Sequence, residues 1–523
     1  MWRKSKSMER ERIYERIKRD FEESKKDAFY YRLHDLITKD KIFSKLSYIL
    51  LNREQIGYFG NYTNLIKNFF IIPILILWKL FLIKFERLYY KKKYPTANTL
   101  QDIKNENFDY LFVLNTRDHI ITALPVLESM DNKARSLIVT FKGVYAKYKS
   151  DFDNLKNAKI IFFEYELKNL SLGKYIGIIK EAKSKFRLLE SQNLDSDLKR
   201  LIKIDKNFIK FHLTTELIQY YFFEKIFNNF DIKGAVSIVF TTAFEIAKEK
   251  NIPTFILQHG IGGKGHGHPY VCDYWFTFDD VSKKSLDEWL DHTVNVLAVG
   301  SPRFEYLKDW RSRLNREDFN RRLGIPVDAR DVTYISTGSN RFENKDLFLA
   351  LKELRQKLPD DVNLIIKLHP RENLKISNAK KEIKEIFSKR ELKETVFIRK
   401  EIDFYEILAN SDVVITTIST GMLESIAADI PVLQVNFTGE PYPKAYDLSS
   451  FGWKEPISDS EIMINEVLAI LNDEKRRKEV IEKQRWLRDR VLKNFGRCGE
   501  VIAETIVNIC EKDKGDKDKR WKS

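Results

Sequence analysis

The stretch Asp412–Asn436, "DVVITTISTGMLESIAADIPVLQVN", contains a strand, a turn, a helix and a second strand in 25 residues. The β-branched run over 412–416 reads as a buried strand, and "PVLQVN" reads as another. The helix between them, expected over 419–428, makes the two strands parallel neighbours in an α/β layer. Ser419, Thr420 and Gly421 fall at the helix start. There, unpaired backbone N–H groups and the helix dipole favour an anion. The two hydroxyls add donors, Gly421 lets a ligand approach the backbone, and Glu424, one turn on, is placed to accept from ribose hydroxyls. A plain N-cap uses the same residue types.

The same texture extends to both sides. "VTYIST", "NLIIKLHP" and "TVFIRK" precede this unit as further strands, with helices at 344–357, 378–389 and 403–410 and more helices across 458–511. An earlier series runs from Asn107: "YLFVLN", "SLIVTF", "KIIFFEY", "AVSIVF", "PTFILQ" and "YWFTF", with a long helix at 207–227. Two doubly wound parallel-sheet, Rossmann-like domains follow from this alternation. The first is expected over 106–310 and the second over 331–511, joined by a charged link at 311–330. Such sheets bind ligands beyond their carboxyl ends, so a cleft between the domains is expected, with functional residues just after strands.

Four strand ends carry such residues. "YISTGSNRF" offers Thr337, Gly338 and Ser339 as a small polar loop, where a plain βα turn is an equal reading. "IIKLHPRENL" places His369 before Pro370, which biases it to an extended form, and beside Arg371, a pairing suited to clamping a phosphate, with a turn carrying an incidental histidine as an equal reading. "FVLNTRDHIITALPVLESM" brings Arg117, Asp118 and His119 to the start of an amphipathic helix, where a plain helix cap by Asp118 is an equal reading. "FILQHGIGGKGHGHPY" ends a strand at His259 and Gly260 and continues into a glycine-rich loop with Lys264, His266 and His268. Zinc requires ligands fixed in tetrahedral geometry, which a glycine loop does not give, so no metal is expected. A Walker-type cradle requires Ser or Thr after the lysine, and none follows Lys264. His259 remains as a strand-end residue at the expected cleft, and the rest as a flap with a lysine for a phosphate.

Composition bounds the partner. The 523 residues suit two or three domains, and 91 basic against 76 acidic residues leave a net charge of +15, favouring an anionic ligand. The basic residues are dispersed and form no nucleic-acid-binding motif, so nucleic acid is not expected. Three widely spaced cysteines build no disulfide framework, which points to a reducing, cytoplasmic setting. Residues 1–105 read as a helical N-terminal extension, and 1–27 mix ten bases with seven acids. Within the extension, 68–93 sets Trp78, Phe81, Leu82, Phe85 and Leu88 opposite Lys79, Lys84, Arg87 and Lys91. That pattern describes a helix lying in an anionic membrane interface, too short in apolar residues to span it; packing against the next domain is the other reading. The end of the chain, 512–523, is expected to be disordered.

Two tandem α/β domains with "QHG" at a first-domain strand end, "HP" in the second and "STG" followed by Glu424 resemble a GT-B glycosyltransferase. More narrowly, they are similar to the capsule and surface polysaccharide group, which includes CMP-sialic acid and CMP-Kdo transferases and CDP-glycerol glycerophosphotransferases. The resemblance covers roughly 107–511. It implies that His369, Ser419 and Thr420 hold the donor phosphate, that Glu424 binds ribose, and that His259 acts as acid or base. The acidic pair of the sialyltransferases is followed by glycine, whereas "FDD" here is followed by Val281. The resemblance thus implies an enzyme, a metal-independent transferase moving a sugar or polyol phosphate from a CMP-, CDP- or UDP-linked donor to a glycan or lipid-linked acceptor. His259 is the first candidate for the base, His119 the second and Asp279 the third. No other cofactor is expected, and the site of work is the inner face of the cell membrane. Rival expectations are a sugar-nucleotide 2-epimerase and a non-catalytic scaffold for glycan assembly.

Overall fold

The computed structural model describes residues 97–520, apart from 147, 169, 192–198, 201, 204–205, 240, 259–271, 288–293, 306–314, 338–341, 370–382, 394, 399–401 and 445–446. Residues 1–96 of the extension expected over 1–105, the helix expected at 68–93 among them, lie outside the described residues, as does part of the helix expected over 378–389. The end of the extension is not helical throughout, since Ala97–Asn98 forms a strand paired in parallel with Ile160–Ile161.

The first series begins with β1 (Ala97–Asn98), β2 (Tyr110–Leu114) and α1 (Arg117–Asp131). It continues through β3 (Ser136–Thr140), β4 (Ala158–Phe162), α2 (Leu172–Ser191) and α3 (Lys206–Asn229). Then come β5 (Gly234–Ser237), α4 (Thr242–Glu249), β6 (Thr254–Leu257), β7 (Tyr274–Thr277), α5 (Asp280–Asp287) and β8 (Asn295–Ala298). The strands are ordered β1-β4-β3-β2-β5-β6-β7-β8. β2, β3 and β5 are buried along their whole length, which is why they read as continuous apolar runs. β8 is an edge strand with Asn295 exposed and only Val296 buried, and its weak apolar signal hides it in the sequence. The strand expected over 159–165 is shorter, because a helix begins at Phe163.

The second series opens with α6 (Arg316–Leu323), inside the segment expected to be a link. Asn315 caps its start by accepting from Asp318 N at 3.2 Å, and Gly324, at φ +70°, ends it in the left-handed conformation that glycine favours. β9 (Arg330–Ile335), α7 (Lys345–Lys357), β10 (Val362–Lys367), β11 (Thr395–Ile398), α8 (Phe404–Asn410), β12 (Val413–Thr416), α9 (Thr420–Ala427) and β13 (Val432–Gln434) follow. Their order, β11-β10-β9-β12-β13, reverses direction between β9 and β12. All recorded pairings in both sheets are parallel. Alternate residues divide the core between the two faces. Val332, Tyr334, Leu364, Ile366, Val413 and Ile415 pack with Leu347, Leu351 and Leu354 of α7. Ile365 and Ile398 face the other way, onto Phe319 of α6 and Ile407 of α8.

The chain ends in α10 (Ser460–Asn472), α11 (Glu474–Val491) and α12 (Cys498–Arg520). Disorder was the expectation from 512, yet α12 continues to Arg520. The sequence places Asp513 and Asp516 four residues before Lys517 and Arg520, a spacing that supports helix. Among the described residues, no helix is long and apolar enough to cross a membrane.

By contact the chain divides into two compact units, neither continuous in sequence. The first takes the described residues within Met1–Thr116, Asp131–Phe255 and Gly267–Asp273; the second takes those within Arg117–Met130, Ile256–His266 and Tyr274–Ser523. The sequence placed one boundary in 311–330, but α1, β7 and β8 group with the later residues. Gly300, just after β8, shows why. At φ +95° it passes so close to the 493–498 segment that a Cβ there would lie 2.4 Å from Cys498 Sγ.

Candidate functional site

The candidate site is built within the second unit, where β9 and β12 diverge. β12 is wholly buried and ends at Thr416, whose Oγ1 donates to Ile335 O at 3.1 Å and ties the two strand ends together. Ser419 then caps α9 in extended conformation, its Oγ accepting from Gly421 N at 3.1 Å. The cap reading therefore describes what the Ser419 oxygen does, while its O–H stays able to donate. Thr420 is half-buried at the first helical position. Gly421 is buried, and a Cβ there would meet Phe404 Cζ at 2.9 Å and Ile335 Cδ1 at 3.0 Å. Only glycine lets this helix start sit so closely against the end of β9.

Beyond β9, Thr337 N donates to Glu343 Oε1 at 2.6 Å; the same carboxylate accepts from Tyr334 Oη at 2.7 Å and Ser336 Oγ at 3.1 Å. Glu343 thereby shapes the turn. Thr337 Oγ1 and Thr417 Oγ1 are buried at the ends of these adjacent strands with no hydrogen-bond partner among the described residues. His369 is half-buried two residues beyond β10. Arg371, Gly338 and Ser339 lie outside the described residues, as do His259, Gly260, Lys264, His266 and His268.

Glu424 is 1% exposed on α9. Its Oε1 accepts from Arg303 Nη2 at 2.5 Å and from Tyr405 Oη at 3.0 Å, and Arg303 Nη2 stands 3.2 Å from Tyr405 Oη. Arg303 belongs to the 3-10 turn Pro302–Phe304 that follows β8, and Tyr405 to α8. Burial works against the Arg303 charge, but Tyr405, Glu424 and Asp118 outweigh it and drive the guanidinium pKa up. Burial pushes the Tyr405 phenol up as well. Glu424 is thus engaged through Oε1 with two buried partners, while its Oε2 takes part in neither bond. Arg303 and Tyr405 were missed in the sequence. "GSPRF" falls within the first domain expected over 106–310, and nothing local marks an arginine whose partner is 121 residues away.

The other two candidate bases are not presented to solvent. His119, near the start of α1, is 4% exposed, while its neighbour Asp118 is exposed. Asp279 is 2% exposed and caps α5, accepting from Ser282 N at 2.7 Å and Ser282 Oγ at 2.9 Å. Among the described residues, no group of three or more His, Cys, Asp or Glu side chains is arranged to hold a metal.

Residues 263–493, less than half of the chain, match the family model described as CDP-Glycerol:Poly(glycerophosphate) glycerophosphotransferase. Among solved structures, the chain is similar to a putative UDP-N-acetylglucosamine 2-epimerase from Listeria monocytogenes, at 15% identity and a TM-score of 0.50, over 78% of this chain and 97% of that one. The fold is GT-B-like. The chain is also similar to UDP-GlcNAc 2-epimerase from Neisseria meningitidis bound to UDP-GlcNAc, with 13% identity, TM-score 0.47 and coverage of 76% and 100%. For the wall teichoic acid polymerase TagF the figures are 14%, 0.42, and 79% and 92%. No curated protein matches the chain in sequence. The family match supports a transferase that uses a nucleotide-activated donor.

Proposed function

We propose that the protein transfers a polyol phosphate, or a sugar, from a nucleotide-activated donor to a hydroxyl of a glycan or lipid-linked acceptor. One observation carries this reading. The start of α9, with Ser419, Thr420 and Gly421, stands at the point where the second sheet reverses its strand order. The family match over 263–493 favours a polyol phosphate and a CDP-linked donor.

In this reading the acceptor oxygen attacks the transferred group as its proton passes to a base, and the bond to the departing nucleotide phosphate breaks. His259 is the proposed base, on the strength of its "QHG" setting, and His119 is the second choice. Negative charge growing on the leaving phosphate is met by the α9 N-terminus and the Ser419 and Thr420 hydroxyls. His369 and Arg371 form a second clamp, and Thr337, Gly338 and Ser339 border the donor. Gly260, Lys264, His266 and His268 form the proposed flap. The roles assigned here use side chains and backbone and call on no metal. Glu424 holds Arg303 beneath the helix start and is the proposed ribose acceptor. Work at the inner face of the cell membrane, docked through 68–93, completes the proposal.

The test is CMP release from CDP-glycerol with a lipid-linked polyol-phosphate acceptor. Ser419→Ala with Thr420→Val should lower kcat/KM by about 10²–10³-fold, the usual cost of removing charge-stabilising donors. An epimer released from UDP-GlcNAc without acceptor would sink the transferase reading. His259→Ala and His369→Ala proteins that stay folded and fully functional in cells would favour a scaffold.

A further inference from the structure

The edge strand β13 borders a partly open cavity of about 150 Å³ that the proposed chemistry does not use. Its walls are apolar: Val432 and Leu433 of β13, Trp453, Ile457, Ile462 of α10 and Val480 of α11. Lys454 and Lys483 stand at its lining, exposed, and neither enters an ion pair among the described residues. Arg476 is taken up by Glu466, which leaves Glu455 as the lining carboxylate outside an ion pair among the described residues.

The surface beside the cavity is unusual for one that meets only water. Ile462 is 59% exposed and Trp486 45% exposed. Trp486 reaches the turn before Trp453, since a Cβ at Gly452 would lie 3.4 Å from its ring. The Arg490 guanidinium sits 3.6 Å from the centre of the same ring. Helix α11, which supplies Val480, Lys483, Trp486 and Arg490, carries eight bases against four acids. An apolar bore, unpaired lysines at its mouth and half-exposed tryptophan beside it form the combination found where proteins meet the headgroup layer. An apolar cavity of this volume holds one benzene-sized group, so the bore fits one chain end and not the face of a helix.

We propose that this cavity seats the end of one acyl chain of an anionic phospholipid at a bilayer surface, with Lys454 and Lys483 meeting the headgroup phosphates that surround the mouth. A bilayer is favoured over a free amphiphile because Ile462 and Trp486 flank the bore. A lipid held in solution would leave both in water, whereas the interface covers them.

The test uses the full chain with vesicles of phosphatidylcholine alone or mixed with phosphatidylglycerol bearing brominated acyl chains, which quench nearby tryptophan. Brominated phosphatidylglycerol should quench the protein, and Trp453→Phe should remove a measurable share of that quenching. Lys454→Glu with Lys483→Glu should weaken partitioning to anionic vesicles by about tenfold or more, while circular dichroism shows the fold unchanged. Attachment through 68–93 alone predicts quenching that neither change alters, and that result overturns the proposal. So does quenching of Trp453 by a soluble short-chain phosphatidylglycerol with brominated chains, with none from brominated vesicles.

Discussion

Arg303 shows how one residue can be central to a site and silent in the sequence. Its side chain is 7% exposed and its charge is met by Glu424, itself 1% exposed. Breaking a buried pair of this kind by removing one partner costs about 3–5 kcal/mol, because the other charge is left without compensation. Arg303→Met should therefore lower unfolding free energy by about that amount in a denaturant titration. Adding Glu424→Leu should restore much of it, since a well-packed apolar pair often matches a buried ion pair. A single-variant loss below about 1 kcal/mol would show that the pair does little for the fold. Glu424 drew notice in the sequence as an acid one turn into a helix after "STG", though for ribose and not for a buried arginine. Its partners were not, because tertiary folding alone brings them together.

At the scale of elements, the caps carry the pH response. Asp279 starts α5, and burial pushes its carboxyl up to about 6 against the opposing hydrogen bonds from Ser282. Asp331, at the start of β9, is likewise raised by burial to about 6. A carboxyl raised in the folded state binds its proton more tightly there than in the unfolded chain. Its stabilising contribution is complete below the unfolded value of about 4 and is lost as pH rises through 6. Stability should thus fall between about pH 4 and pH 6.5. Asp279→Asn keeps a cap acceptor but cannot titrate, so it should remove on the order of 2 kcal/mol of that fall. Asp331 should preserve the remainder. Denaturant melts across this range check the prediction, and an unchanged slope in the variant would contradict it. The buried strands were legible as elements because both of their faces are apolar. The half-exposed edge strand β8 was not, and α12 outran the disorder expected of a lysine- and aspartate-rich tail.

For the whole molecule, alternation of buried runs with amphipathic helices was enough to give two parallel α/β sheets and to place the phosphate candidates at strand ends. It did not give the grouping of β7, β8 and α1 with the later half, which depends on close approaches such as that at Gly300. The proposed role of the α9 start is to receive the phosphate of a nucleotide-activated donor. Thermal unfolding with a panel of CMP-, CDP-, UDP- and GDP-linked ligands tests it most directly. A ligand at a hundred times its Kd stabilises the folded state by about 2.7 kcal/mol. CDP-glycerol should raise the Tm most, and Ser419→Ala with Thr420→Val should largely abolish the rise. No rise with any nucleotide, or an equal rise in the double variant, would contradict the account.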